Sequence, residues 1–344
     1  MRAGVFLAYR PWFTPAEQVE LAMLADRLGL DSAWVAEAWG QDAVSVLGLL
    51  AGKTERIGLG SGLMQIPARR ATATAMAAAS LDVLSEGRFR LGLGLSGPQV
   101  SEGWYGVPFT RNLGRTREYV DVVRRALDRE PILMEMEHGA DPARPPLGLG
   151  KPLKLLTRTV QERLPIYLGA IGPKAVHQTG QIADGWLPFM LDPSDPEVLM
   201  GPLRAGAESA GRTLADIDIA PVVPLAVDED LAAARDAVRP WLAFYLGSMG
   251  AKSKNFYVEL AERQGHGAAA REVQEKGLAG DRLGAVAAVT DGLVDAGAIA
   301  TTPLGLDERL ATYERAGVTT LVAVPCGDDK PGVLRALAAA TVTR

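Results

Sequence analysis

One cysteine, three histidines and no long apolar run are found in this chain of 344 residues, and each shortage removes a class of explanation. Cys326 has no second cysteine to pair with, so no intrachain disulfide forms, which fits a reducing, cytoplasmic compartment. His138, His177 and His266 stand beside no second His, Cys or carboxylate at ligand spacing, so no metal site is expected. His177, on a helix after the fifth strand, reads as a packing or surface residue. No stretch of about twenty apolar residues occurs, so no membrane span is expected. The opening residues, 1–9, lack the features of a secretory signal and read as a first strand instead. A formal net charge of −5 gives no broad basic field, which argues against a nucleic-acid partner. The sequence also lacks a Gly-x-x-x-x-Gly-Lys phosphate loop, a Gly-x-Ser-x-Gly elbow and a Cys-x-x-Cys pair. Leu91-Gly92-Leu93-Gly94 is too short for a dinucleotide fingerprint, and its glycines lie inside a strand pattern.

What is present is a 48% hydrophobic composition arranged as alternating strand and helix patterns. Strand patterns cover 4–8, 32–37, 56–63, 89–95, 165–170, 183–189, 217–227 and 320–324, the seventh interrupted by Pro221 and Pro224. Thr14-Pro15-Ala16-Glu17 predicts a capping box opening the first helix, and Gly29 predicts its end. Further helices are expected over 43–51, 72–84, 112–129, 307–315 and 333–340, with a long helical region over 231–295. The pattern fits a single (β/α)8 TIM-type barrel with insertions near 134–163 and 245–305. An open doubly wound sheet is the structural alternative.

In such a barrel the chemistry sits where strands end. The residues there are Glu37, Trp39 and Asp42 after strand two, Gly62 to Arg70 after strand three, and Ser96, Gly97, Glu102, Trp104 and Tyr105 after strand four. Ala170-Ile171-Gly172-Pro173-Lys174 follows strand five. It suits a phosphate, because the glycine admits a ligand to the backbone and the proline opens a helix with unpaired N–H groups. An ordinary βα turn is the plainer reading. Within the late helical region Tyr245, Met249, Phe256 and Tyr257 are candidates for a substrate pocket, or for packing the insertion onto the barrel.

With these residues laid out, the sequence resembles the luciferase-like oxidoreductases, and their coenzyme F420-dependent branch most. The resemblance rests on Ser80-Leu81-Asp82-Val83-Leu84-Ser85-Glu86-Gly87-Arg88-Phe89-Arg90-Leu91-Gly92-Leu93-Gly94, on Gly172-Pro173-Lys174 followed by Ala183-Asp184-Gly185-Trp186, and on Arg69. For the F420 branch it rests on Glu37-Ala38-Trp39-Gly40, Ser96-Gly97-Pro98-Gln99 and the run from Met249 to Tyr257. The resemblance implies a deazaflavin across the barrel mouth, with Glu37, Gly62, Leu63, Met64, Arg69, Ser96 and Gly97 around its ring. Its phosphate would meet Ala170, Ile171, Gly172, Pro173 and Lys174, with Arg69, Arg70 and Lys174 supplying charge for the phosphate and glutamate tail. A bulge with a non-proline cis peptide is implied at Gly62-Leu63. Glu37 and Glu102 are the acid–base candidates, since the Asp-His pair that many relatives carry after strand two is Glu37-Ala38 here. Trp39 and Trp104 would face the late aromatics across the cofactor. The expected activity is hydride transfer between F420 and a small organic molecule. An FMN-dependent monooxygenase and a non-catalytic flavin-binding relative are the alternatives, and a homodimer is the implied assembly.

Overall fold

The computed structural model describes residues 1–134 and 149–341. Residues 135–148 of the proposed insertion over 134–163, His138 among them, therefore lie outside the described residues. Every strand pairing is parallel, as expected when each strand is followed by a helix that carries the chain back. In chain order the strands are β1 Arg2–Leu7, β2 Ser32–Val35, β3 Gly58–Ser61, β4 Met64–Gln65, β5 Phe89–Gly94, β6 Ile166–Leu168, β7 Gly185–Trp186, β8 Asp218–Ile219, β9 Val222–Val227, β10 Ile299–Thr301 and β11 Thr320–Pro325.

These strands form a TIM-type barrel of eight staves. β3 and β4 are one stave broken at Gly62-Leu63, and β8 and β9 are another broken at Ala220-Pro221. The second of these closes the ring, since β8 pairs with β7 while β9 pairs with β11. Val222 N–H also donates to Pro188 O at 2.9 Å. Only Pro221 breaks the stave; Pro224 stays within β9. Alternation along β9 points the place of its missing N–H away from β11, into the gap between the Phe189–Val222 bridge and the start of β10 at Leu225.

Three further differences from the sequence reading have physical causes. Stave six pairs over only two residues, Gly185–Trp186, although its apolar run is longer. β10 is an additional strand, and the late helical region is five helices rather than one block: Leu231–Ser248, Phe256–Arg263, Gly267–Leu278, Arg282–Ala287 and Asp291–Gly297. Asn255, Asp281 and Thr290 each cap one of them with a side-chain oxygen.

The first helix, Pro15–Leu28, forms as its capping box dictates. Glu17 N–H donates to Thr14 Oγ at 3.2 Å, Thr14 N–H donates to Glu17 Oε2 at 2.7 Å, and Gly29 ends the helix at φ 78°. Its buried Asp26 then accepts N–H bonds from Glu55, Arg56 and Ile57 at the start of the third stave. Burial alone would raise Asp26, but these bonds hold its carboxyl below the ordinary range. The rest of the N-terminal end is closed similarly. Arg88 makes five bonds, to Ser85 O, Thr54 Oγ, Ile57 O, Ala51 O and Thr54 O, and Asp82 receives Val160 N, Gln161 N and Gln161 Nε2. Arg90 pairs with Asp31 at 2.6 Å, Arg2 with Asp218 at 2.8 Å, and Asp184 with Arg124 and Arg163 at 2.9 and 3.0 Å.

Candidate active site

At the opposite end, stave two delivers Glu37 to the rim. Its carboxylate is almost wholly buried and accepts four bonds, from Ala43 N at 3.2 Å, Gln65 N at 2.9 Å, and Arg69 Nη1 and Nη2 at 2.6 and 2.7 Å. Arg69 also donates to Asp42, so its guanidinium is held by two carboxylates, with the bond to Glu37 chief in raising its pKa. Burial would raise Asp42, but its bonds to Ser45 and Arg69 keep it low. These residues tie the turns after staves two and three together. Glu37 and Arg69 thus spend their hydrogen-bonding capacity on each other rather than offering it to a ligand.

Beside them lies the bulge. The Gly62–Leu63 peptide is cis, as the resemblance implied. Ser61 Oγ donates to Gly92 O at 2.8 Å and accepts from Gly92 N at 2.9 Å, which fastens β3 to β5 immediately before the bulge. Half-buried Leu63 then lies over backbone that no larger residue could share. A Cβ on Gly94 or Gly169 would approach it to 2.7 or 2.1 Å. Met64 points into the core and is buried, so it can serve a ligand only through its backbone. The Gln65 Nε2 donates to Glu37 O at 3.2 Å, while its buried Oε1 has no partner among the described residues.

Stave five ends in the anticipated turn. Trp186 Nε1 donates to Ala170 O at 2.9 Å, and the helix Pro173–Ile182 begins at Gly172 without a side-chain cap. Gly172 has φ −79° and ψ 140°, and a Cβ there would meet no atom within 4 Å. The space beside its Cα is therefore open. Arg263, at the end of the Phe256–Arg263 helix, donates from Nη2 to Ile171 O at 2.7 Å, and its buried Nη1 has no partner among the described residues. Lys174 is exposed in the first turn.

The turn after stave four places half-buried Ser96, at φ 60°, and Gly97 at the start of the short helix Pro98–Gly103. Glu102 is exposed and accepts Phe109 N–H at 2.9 Å, so its carboxylate caps a surface loop. Trp39 and Trp104 are 46% and 64% exposed, with no aromatic ring contact among the described residues.

The late aromatics do converge. Tyr245 packs against Phe189, Trp241, Phe244 and Tyr257 with centroids 4.3, 5.3, 5.6 and 5.0 Å away, and Trp241 reaches Phe6 on β1 at 6.3 Å. Phe256 leans toward Phe109 at 6.2 Å, joining the late helices to the loop after stave four. Met249, half-buried, ends the Leu231–Ser248 helix.

Sequence reasoning placed Tyr105 after strand four but missed Tyr9. Tyr9 stands just past β1, stacked on Gly40, where a Cβ would come within 2.3 Å of its ring. Burial, then the neighbouring Tyr105, push Tyr9 up to about 12. Burial also raises Tyr245, Tyr257 and Tyr105, with Tyr9 contributing to the first two and Glu37 to the third. The hydroxyls of Tyr9, Tyr245 and Tyr257 have no hydrogen-bond partner among the described residues. The same strand-end rule that found Glu37 would have found Tyr9 had it been applied to stave one.

Residues 1–320 match the profile of the luciferase-like monooxygenases. The chain belongs to that family. It is 39% identical over 94% of both chains to a Mycobacterium tuberculosis protein named "Putative coenzyme F420-dependent oxidoreductase". It is also 30% identical to 5,10-methylenetetrahydromethanopterin reductase of Methanolobus tindarius, over 94% of this chain and 96% of that one. The coenzyme F420-dependent tetrahydromethanopterin reductase of Methanopyrus kandleri superposes with a TM-score of 0.83 at 26% identity, over 100% of this chain and 99% of that one. No helix among the described residues of this luciferase-like protein is long and apolar enough to cross a membrane.

Proposed function

We propose that this protein transfers a hydride between coenzyme F420 and an uncharged, largely apolar organic substrate. The observation that carries the reading is the 39% identity, over 94% of both chains, to the F420-named relative. The residues at the rim fit the cofactor. Open space beside Gly172 adjoins unpaired N–H groups, and the half-buried Leu63 bulge offers an apolar floor. Buried Gln65 Oε1 and Arg263 Nη1 have no partner among the described residues.

Gly172 and Lys174 N–H would hold the phosphate, and Gly62, Leu63, Ser96 and Gly97 would hold the ring system. Bound F420 supplies a two-electron carrier that gives or accepts a hydride. The chain's own part is to position, dry and protonate. The Glu37–Arg69–Asp42 cluster positions the two turns flanking the ring. Phe189, Trp241, Tyr245 and Tyr257 wall the mouth and exclude water, which suits an apolar substrate. Tyr9 Oη, neutral up to about pH 12, keeps its proton until a substrate oxygen or nitrogen becomes basic enough to take it. An FMN monooxygenase has less support, because the F420 name belongs to a relative that matches nearly end to end.

Anaerobic titration with F420 and with FMN tests the cofactor, and tighter FMN binding would overturn the reading. Screening oxidation of reduced F420 against enones, imines and ketones tests the reaction. Tyr9→Phe should lower kcat about 100-fold at unchanged Tm, since its hydroxyl bonds nothing among the described residues. A homodimer belongs to the same proposal. Leu49, Met76, Val83 and Leu84 expose apolar surface on the Ala43–Ala51 and Ala71–Leu84 helices, and light scattering would detect the pairing.

A further inference from the structure

We propose that the groove between the helices Asn112–Leu127 and Pro173–Ile182 binds the oligoglutamate tail of coenzyme F420. The proposal rests on the F420 reading above. The groove is a cavity of about 560 Å³ on the outer wall of the barrel, lined also by Pro202. Lys174, His177, Gln178 and Gln181 line one side from a single helical face, and Arg117 lines the other. No carboxylate among the described residues lines it, in a chain whose net charge is −5.

The cations here also differ from their neighbours. Arg124 and Arg125, on the same helix as Arg117, are neutralised by Asp184 and by Asp121 and Glu130. Among the described residues, exposed Arg117 bonds only the uncharged Gln181 amide oxygen and Lys174 has no carboxylate partner. Gln178 and Gln181 are held in place through Leu113 O at 2.8 Å and Ser209 Oγ at 3.0 Å. A preformed wall with uncompensated positive charge calls for an anionic occupant.

Position selects which one. Lys174 lies two residues beyond Gly172, where the phosphate is proposed to sit, and Gln181 lies two turns further down, roughly 10 Å along the axis. A polymer of carboxylates leaving the phosphate would thus run past Lys174 and His177 to Arg117. Arg69, which the sequence had suggested for such a role, is occupied by Glu37 and Asp42.

The test compares binding of F420 carrying several glutamates with the same cofactor lacking them, read by quenching of deazaflavin fluorescence. The tailed form should bind about ten-fold tighter at low salt. That advantage should fade as salt screens the pairs, over a Debye length of about 10 Å at 0.1 M. In Arg117→Glu it should vanish while affinity for the tail-free form is kept. Equal affinities in the unmodified protein, or a tail advantage that survives Arg117→Glu, would overturn the groove assignment and leave the F420 reading standing. If neither form binds, both fail.

Discussion

The two ends of the barrel are built on opposite terms. At the N-terminal end Asp26, Asp31, Asp82, Asp184 and Asp218 are all bonded, and Arg88 alone fills five donor positions. At the C-terminal end buried Gln65 Oε1 and Arg263 Nη1 have no partner among the described residues. Glu37 and Arg69 are the exception there, a satisfied cluster within an unsatisfied rim. Polar groups that are buried and bonded hold a fold together, whereas polar groups left open are available to something that binds. The difference separates what keeps this barrel from what uses it.

Substitutions at the two ends should therefore fail in different ways. Arg88→Met should cost about 3 kcal/mol of stability, because four carbonyls and a hydroxyl lose their donor together. Denaturant unfolding would show it, and F420 affinity per folded molecule should not change. A loss below about 1 kcal/mol would blur the contrast between the ends.

Gly172→Val should do the reverse. Its backbone angles accept a β-branched residue and its Cβ would touch nothing, so stability should move by no more than about 0.5 kcal/mol. Cofactor affinity should fall at least about ten-fold, near 1.4 kcal/mol, because the side chain fills the space before the turn's N–H groups. Calorimetry of ligand binding beside thermal unfolding separates the two.

The smallest effect is spectroscopic. Subtracting the alkaline titration of Tyr9→Phe from that of the unmodified protein should leave one phenol ionising near pH 12, above the usual value of about 10. The sign follows from linkage. The folded pKa exceeds the unfolded one, so the contribution of neutral Tyr9 to stability is complete below about pH 10 and is lost as pH rises from there toward 12. Ionisation near pH 10 would place Tyr9 in water rather than against the aromatic wall.

The contrast between the ends also explains what the sequence made legible. The run from Ser80 to Gly94 that marks the family includes Asp82, Arg88 and Arg90, which lie at the closed end. They answer to the fold, so their pattern is strong and their message is architectural. The cis bulge at Gly62–Leu63 came within reach only through the family resemblance, whereas the Gly172 turn was marked locally by a glycine followed by a helix-opening proline. Tyr9 and Arg263 were not, because each acts through neighbours remote in sequence. Arg263 meets Ile171 across 92 positions. The split of the late region into five helices was hidden by apolar residues continuing across caps such as Asn255 and Thr290. That Glu37 would be saturated depended on Arg69 reaching back from 32 residues further on.

β10 gives the late helices a particular topology. The chain leaves the barrel at the end of β9, builds five helices, and returns as Ile299–Thr301 paired with Leu225–Val227, the last residues it had left. Re-entry at Ile299 faces Leu225, one strand spacing of about 4.8 Å across and two residues back from the exit at Val227. The segment therefore forms a cassette with its two ends joined on one stave. It can be lengthened, shortened or exchanged without changing the separation of its anchor points. An architecture of this kind lets one cofactor seat face many roofs, and lets substrate preference diverge while the barrel beneath stays the same.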